Sequence, residues 1–133
     1  MAGRYPRAVE SMEQRVAAEI GREGIAAIVA GFYRRVKDDD LIGPMYPEDD
    51  WEGSEERLRM FLNFRLLGDP EYTLRRGHPR LRMRHAPFAI GEPERDRWLA
   101  LMGAAMDECG ITGELREDLD AFFLQVADFM RNR

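Results

Sequence analysis

Apolar positions along this chain recur at helical spacing, and breakers fill the intervals between them. Ile25, Ile28, Val29, Phe32 and Val36 fall on one face of an α-helix. Before it, Ser11 with Gln14 three residues on predicts a capping box that opens a short helix through about Ile20, broken by Gly21 and Gly24. The acidic run Asp38, Asp39, Asp40 and then Gly43-Pro44 stop the long helix. Ser54, followed by Glu55 and Glu56, predicts the next start. That helix carries Leu58, Phe61 and Leu62 on its apolar face and ends at Gly68-Asp69-Pro70. Residues 68–79 show no period and read as a long loop. A short helical turn runs from Pro79 to Ala86, where Pro87 ends it. Pro93 sits at a helix start before Trp98, Leu101, Met102 and Ala105, and Gly110 is a fitting stop. Thr112 or Gly113 opens the last helix, with Leu115, Leu119, Phe122, Phe123, Val126 and Met130 facing the core. No alternating run of β-branched residues occurs. The pattern predicts an all-α domain of about four substantial helices and two short ones.

Composition narrows the function classes. A length of 133 residues suits one domain, and 20 Lys+Arg against 25 Asp+Glu gives 20 − 25 = −5, which weighs against a nucleic-acid binder. The longest uncharged stretch, Gly24 to Tyr33, has ten residues, far short of the roughly 20 needed to span a bilayer. No apolar run follows the first arginines, so no secretory signal is expected. The single Cys109 forms no internal disulfide, reads as a small buried apolar residue, and fits a reducing cytoplasm. Phosphate loops, dinucleotide glycine patterns and Cys-x-x-Cys pairs are absent, and two histidines exclude a histidine-rich metal site.

One segment stands apart. Between Arg75 and Phe88 the chain places Arg75, Arg76, Arg80, Arg82 and Arg84 around His78 and His85. Such a cluster can be a solvated face or an anion-binding patch, since guanidinium pairs with carboxylate or phosphate. His85 follows Leu81 by four residues, on the same helical face, next to a helix-ending proline. A neutral imidazole there is either an ordinary core residue or an axial ligand to haem iron. Haem carries two carboxylates, which would give the arginines a purpose. It also needs an apolar slot, which Phe32, Leu58, Phe61, Phe88, Leu101 and Met102 can supply. Tyr33, Tyr46 and Trp98 add polar tips that need partners when buried.

At these residues the sequence resembles the second group of truncated haemoglobins. Five signatures match in order: F-Y-R-R-V at Phe32 to Val36, M-Y-P-E-D-D at Met45 to Asp50, E-E-R-L-R-M-F-L at Glu55 to Leu62, R-G-H-P-R-L-R-M-R-H-A-P-F at Arg76 to Phe88, and R-D-R-W-L at Arg95 to Leu99. The resemblance implies a truncated globin, two helices stacked over two, around one b-type haem. It places the proximal iron ligand on His85, distal tyrosines on Tyr33 and Tyr46, and a distal tryptophan on Trp98. The usual gating position falls on Ser54. Arg57, Arg84 and Tyr72 match positions that contact the haem propionates. Leu81, Phe88, Ile90 and Met102 complete the cofactor pocket with Phe32, Leu58 and Phe61. His78 matches a motif histidine that is not the iron ligand.

The implied function is binding of dioxygen, carbon monoxide and nitric oxide at a five-coordinate haem b, with NO dioxygenase or peroxidase turnover as an extension. Such turnover would need an unidentified reductase, and a homodimer is a further expectation. The alternative is a haem-free helical module that docks an acidic partner through its arginine-rich segment. Residues 1–19 read as an N-terminal extension with a short helix, and 20–133 as one globin domain. Two departures from the family pattern stand out. Gly21-Arg22 with a displaced Gly24 replaces the usual Gly-Gly pair, and Arg65-Leu66-Leu67-Gly68-Asp69-Pro70 replaces a Tyr-Trp-Gly-Gly-Pro stretch.

Overall fold

Each helix boundary in the computed structural model, which describes residues 11–133, traces to a local cap or turn. The first helix, α1 (Met12–Glu19), opens on the expected capping box: the Ser11 hydroxyl accepts from the Gln14 N–H at 3.1 Å and Gln14 Oε1 from the Ser11 N–H at 2.9 Å. It buries only Val16, and Arg15 pairs with Asp118 of the last helix. The first ten residues of the expected N-terminal extension lie outside the described part.

A single residue, Ile20, separates α1 from α2 (Gly21–Val36), so the corner is tight. Gly21 takes a left-handed φ of +60° there. Gly24 does not break the helix as expected. It lies within α2 because a Cβ at that position would sit 2.3 Å from Ile20 Cβ. The displaced glycine thus serves the close approach of the corner. α2 buries Ile25, Ile28, Val29, Phe32, Tyr33 and Val36, the face read from the sequence.

After α2 the Asp39 carboxylate accepts from the backbone N–H groups of Leu41 (3.1 Å) and Ile42 (2.9 Å) and pairs with Arg97, which closes the turn. A 3₁₀ turn (Gly43–Met45) leads to α3 (Trp51–Leu67). This helix starts three residues before the expected Ser54, because Asp50 caps it by accepting from the Gly53 N–H at 3.2 Å. Gly68, at φ +71°, ends it.

The expected loop 68–79 contains a helix, α4 (Glu71–Arg76). Its one buried residue, Tyr72, stacks on Phe64 (6.2 Å, 17°) and meets Phe61 edge-on (5.8 Å), both from α3. Contacts to α3, not periodicity, hold this short helix. Then follow α5 (Leu81–His85), α6 (Glu92–Glu108) and α7 (Gly113–Met130). Among the described residues there are four long helices, as expected, three short ones instead of two, and no strand.

α2 and α3 pack together, α2 also meets α6, and α6 meets α7, giving two helices over two around one core. Arg116 rivets the α6–α7 corner: it bonds Asp107 (2.7 Å), Asp120 (3.0 Å) and the carbonyls of Ile111 (3.1 Å) and Gly103 (3.3 Å). Cys109 caps α6 half-buried and free, not fully buried as expected; burial and the neighbouring Glu108 raise its thiol pKa.

Candidate functional site

The layers enclose a cavity of about 390 Å³ with a mainly apolar wall, in the size range of cofactor sites. Leu58, Phe61, Tyr72, Leu81, Phe88 and Ile90, all named from the sequence, line it. Phe32 and Met102 do not. Both are fully buried, and Phe32 stands behind the wall, edge-on to Trp98 (5.3 Å) and Tyr33 (5.2 Å). Leu101 is also absent from the lining.

Three polar aromatic side chains converge on one side of the cavity. Tyr33 comes from α2, Tyr46 from the residue after the 3₁₀ turn and Trp98 from the first turns of α6. The Tyr33 and Tyr46 rings meet edge-on at 5.5 Å. Tyr46 accepts from the Trp98 indole N–H, which can only donate, and from the Tyr33 hydroxyl. Burial, reinforced by Tyr46, drives the Tyr33 pKa far above the ordinary phenol value. Burial likewise pushes Tyr46 up to about 12, against the opposing bonds from Trp98 and Tyr33. Both phenols are therefore neutral donors across the physiological range. Trp51, which sequence reading passed over, stacks on Tyr46 at 5.8 Å and lies 5.9 Å from Lys37 Nζ.

His85 lines the cavity at the end of α5. Its Nδ1 lies 2.7 Å from the carbonyl oxygen of Leu81. A carbonyl only accepts, so Nδ1 carries a proton, and in the neutral ring the lone pair then lies on Nε2. That is the state a metal-binding imidazole requires. His78 is exposed and lines a different groove. Geometry thus separates two histidines that composition could not.

Cations ring the mouth. Arg57 spans the space left by small Ser54, reaching Ser54 Oγ and Asp50 Oδ2 at 3.2 Å each. Ser54 is buried beneath it. Arg84 bonds the Arg76 carbonyl at 3.3 Å, and both arginines line the cavity. Arg95 also lines it, tied to Asp128 at 2.5 Å and Asp96 at 2.8 Å. Sequence reading assigned Arg95 no role, although it precedes Trp98 by three residues on the same helix face. Asn132 was missed as well. Its side chain accepts from the Ile90 N–H at 2.9 Å and donates to the Phe88 carbonyl at 2.7 Å, tying down the segment after His85.

A family model described as "Bacterial-like globin" matches residues 18–132. The chain is 43% identical over 100 residues to the group 2 truncated hemoglobin YjbI of Bacillus subtilis, covering 75% of each. It belongs to the group II truncated haemoglobins. Solved structures agree with that placement. The truncated oxygen-avid haemoglobin from B. subtilis superposes with a TM-score of 0.82 at 39% identity, over 87% of this chain and 98% of that one. The thermostable hemoglobin from Thermobifida fusca gives 0.80 at 45% identity, over 84% and 91%. Membership implies a haem cofactor and haem-based ligand binding for this truncated haemoglobin.

The site fits haem on its own terms. It offers an apolar slot, one imidazole with a free Nε2, and arginines at the rim for two carboxylates. Among the described residues no group of three His, Cys, Asp or Glu side chains could hold a bare metal ion, and a lone imidazole suits an iron whose other ligands come from a macrocycle.

Proposed function

We propose that this globin binds one b-type haem with His85 as proximal ligand and takes dioxygen, carbon monoxide or nitric oxide on the opposite side. The observation that carries this reading is the 2.7 Å bond from His85 Nδ1 to the Leu81 carbonyl, which directs the other ring nitrogen, Nε2, to the role of iron ligand at an apolar cavity. When bound, haem would supply a ferrous iron able to take a diatomic. Everything else falls to the protein. His85 holds the iron side, and the Leu81 carbonyl fixes its ring orientation. Arg57, Arg76 and Arg84 stand at the rim for the propionates, beside Tyr72. Phe61, Phe88 and Ile90 exclude water from the macrocycle.

On the distal side Tyr46 presents its uncommitted O–H to a partly negative diatomic, and the Tyr33 O–H and Trp98 N–H, which bond Tyr46, can turn to the same acceptor. Each neutral donor bond contributes about 0.5–1.5 kcal/mol, so two or three slow dissociation roughly 10- to 1000-fold. Carbon monoxide carries less charge and gains less. NO dioxygenation or peroxide reduction would draw on the same donors and need electrons from a separate reductase. A reducing cytoplasmic setting, which a single cysteine suits, is part of this reading. Self-association as a homodimer belongs to the same reading.

The visible spectrum of the purified protein tests this. A Soret band, with a five-coordinate ferrous species that shifts on adding oxygen or carbon monoxide, is the expected result. A colourless protein that takes up no added hemin would favour the haem-free acidic-partner module instead.

A further inference from the structure

A second, more open groove adjoins the cavity, lined by residues 78–83, the α3 residues Phe61 and Arg65, and the α7 residues Gln125, Val126 and Phe129. No lining residue is acidic, although the chain holds 25 acidic against 20 basic residues. From Tyr72 to Gly91 the sequence contains no carboxylate at all. Arg65, Arg80 and Arg82 face the groove with His78. Arg65 lies 5.3 Å from the Phe122 ring, and Arg82 lies 5.7 Å from Phe129. Both arginines are exposed, with their guanidinium groups over aromatic rings. Met83 (60% exposed) and Phe129 (53% exposed) supply apolar contact between them. Arginine, methionine and phenylalanine are the residue types enriched at protein interfaces.

Arg80 adds an independent sign. At φ +48°, ψ +47° it is the one non-glycine residue in the left-handed region among the described residues. Glycine would adopt this backbone without strain, as Gly77 does nearby. A strained arginine aimed at a basic groove is the pattern of a side chain kept for contact, not for folding.

We infer that this groove is the docking surface for an acidic redox-carrier protein of the flavodoxin kind. Charge complementarity selects an acidic partner from a chain whose remainder is acidic, and the exposed Met83 and Phe129 select a protein surface over a small anion. Phe61, Leu81 and Val126 line both the groove and the cavity, so one layer of side chains separates a docked partner from the cofactor pocket. The inference rests on the haem reading in one respect, the choice of a redox carrier as the acidic protein.

The test titrates the protein as isolated with oxidised flavodoxin, following backbone amide shifts at low and high salt. The Soret band is read beforehand, so failure of the haem reading registers separately. Shifts should map to Arg65, residues 78–83 and residues 125–129, and affinity should fall steeply with salt. The pair Arg80→Glu and Arg82→Glu should weaken binding at least tenfold. The same charge change at Arg22 and Arg34, away from the groove, should alter it less than threefold. Arg80→Gly should weaken binding while leaving the melting temperature equal or higher, which a purely structural role for Arg80 would not produce. No binding at low salt would overturn the proposal, as would shifts around Tyr46 and Trp51 instead. A groove pair that binds normally, or that only converts a dimer of this chain to monomers, would also overturn it.

Discussion

Asn132 and Phe88 are joined by a 2.7 Å bond from the asparagine Nδ2 to the phenylalanine carbonyl, while Asn132 Oδ1 takes the N–H of Ile90 at 2.9 Å. A side chain far along the sequence thereby fixes the three residues that follow His85 by three to five positions. Backbone bonds from Asn132 N–H to the Ile90 carbonyl (2.8 Å) reinforce the clasp. Asn132→Ala should hand two exposed backbone groups of the segment to water and cost about 0.5–1.5 kcal/mol. Hydrogen exchange should quicken at Ile90 first. An unchanged rate there would show that the clasp is dispensable.

The two histidines should separate cleanly by substitution. His85→Ala should abolish stable haem retention or remove the imidazole signature from the ferrous spectrum. His78→Ala, at an exposed position outside the cavity, should leave that spectrum as it is. Loss of the proximal signature in the His78 variant would reverse the assignment.

Tyr33, Tyr46 and Trp98 share one hydrogen-bond centre, so their effects should not add. Trp98→Phe deletes the indole N–H that Tyr46 accepts and should speed oxygen release. Tyr33→Phe should speed it less in the native background than in the Trp98→Phe background, because in the former the Trp98 N–H remains to replace the lost donor. Stopped-flow rates for both single variants and the double variant complete the cycle. Strict additivity would dissolve the network.

Alkali should expose the same pair. Both phenols titrate higher in the folded protein than the ordinary value of 10.0, chiefly because burial disfavours the phenolate, with Tyr46 near 12 and Tyr33 above it. Above pH 10 the unfolded chain loses these protons and the folded one keeps them. Their contribution is therefore intact below about pH 10 and lost as pH rises, at about 1.4 kcal/mol per pH unit for each tyrosine. Urea melts between about pH 9 and 12 should show a shallower decline for Tyr33→Phe than for the native protein. Parallel declines would mean that Tyr33 ionises freely.

Gly24→Ala tests the first corner. The added methyl would lie 2.3 Å from Ile20 Cβ, so α1 must move relative to α2. A loss of about 1–3 kcal/mol is expected in chemical denaturation.

What the sequence made legible was whatever local chemistry decides alone. The Ser11–Gln14 box and the apolar face from Ile25 to Val36 appeared where they were expected. α4 did not, since six residues with one buried side chain carry no period, and rings from α3 hold them. Ser54 looked like a cap because its residue type suits one, but Asp50 reached the N–H groups first. Helical spacing put Phe32 and Met102 on the inner face without saying which side of the cavity wall they would occupy. Arg95 and Asn132 act across 33 and more residues, a separation at which no sequence pattern signals contact.

No residue of α5 is buried within the protein itself; Leu81 and His85 are half-covered and turn toward the cavity. A helix of five residues begun by a strained Arg80 has little stability of its own. On the haem reading, the apolar macrocycle is the core on which this segment folds. Ligation by His85 and ordering of residues 77–91 then draw on one free energy, as in domains where binding and folding are linked. A substitution that loosens the segment will register as faster haem loss even when it touches neither iron nor propionate, and tight haem retention will report on the backbone as much as on the iron bond.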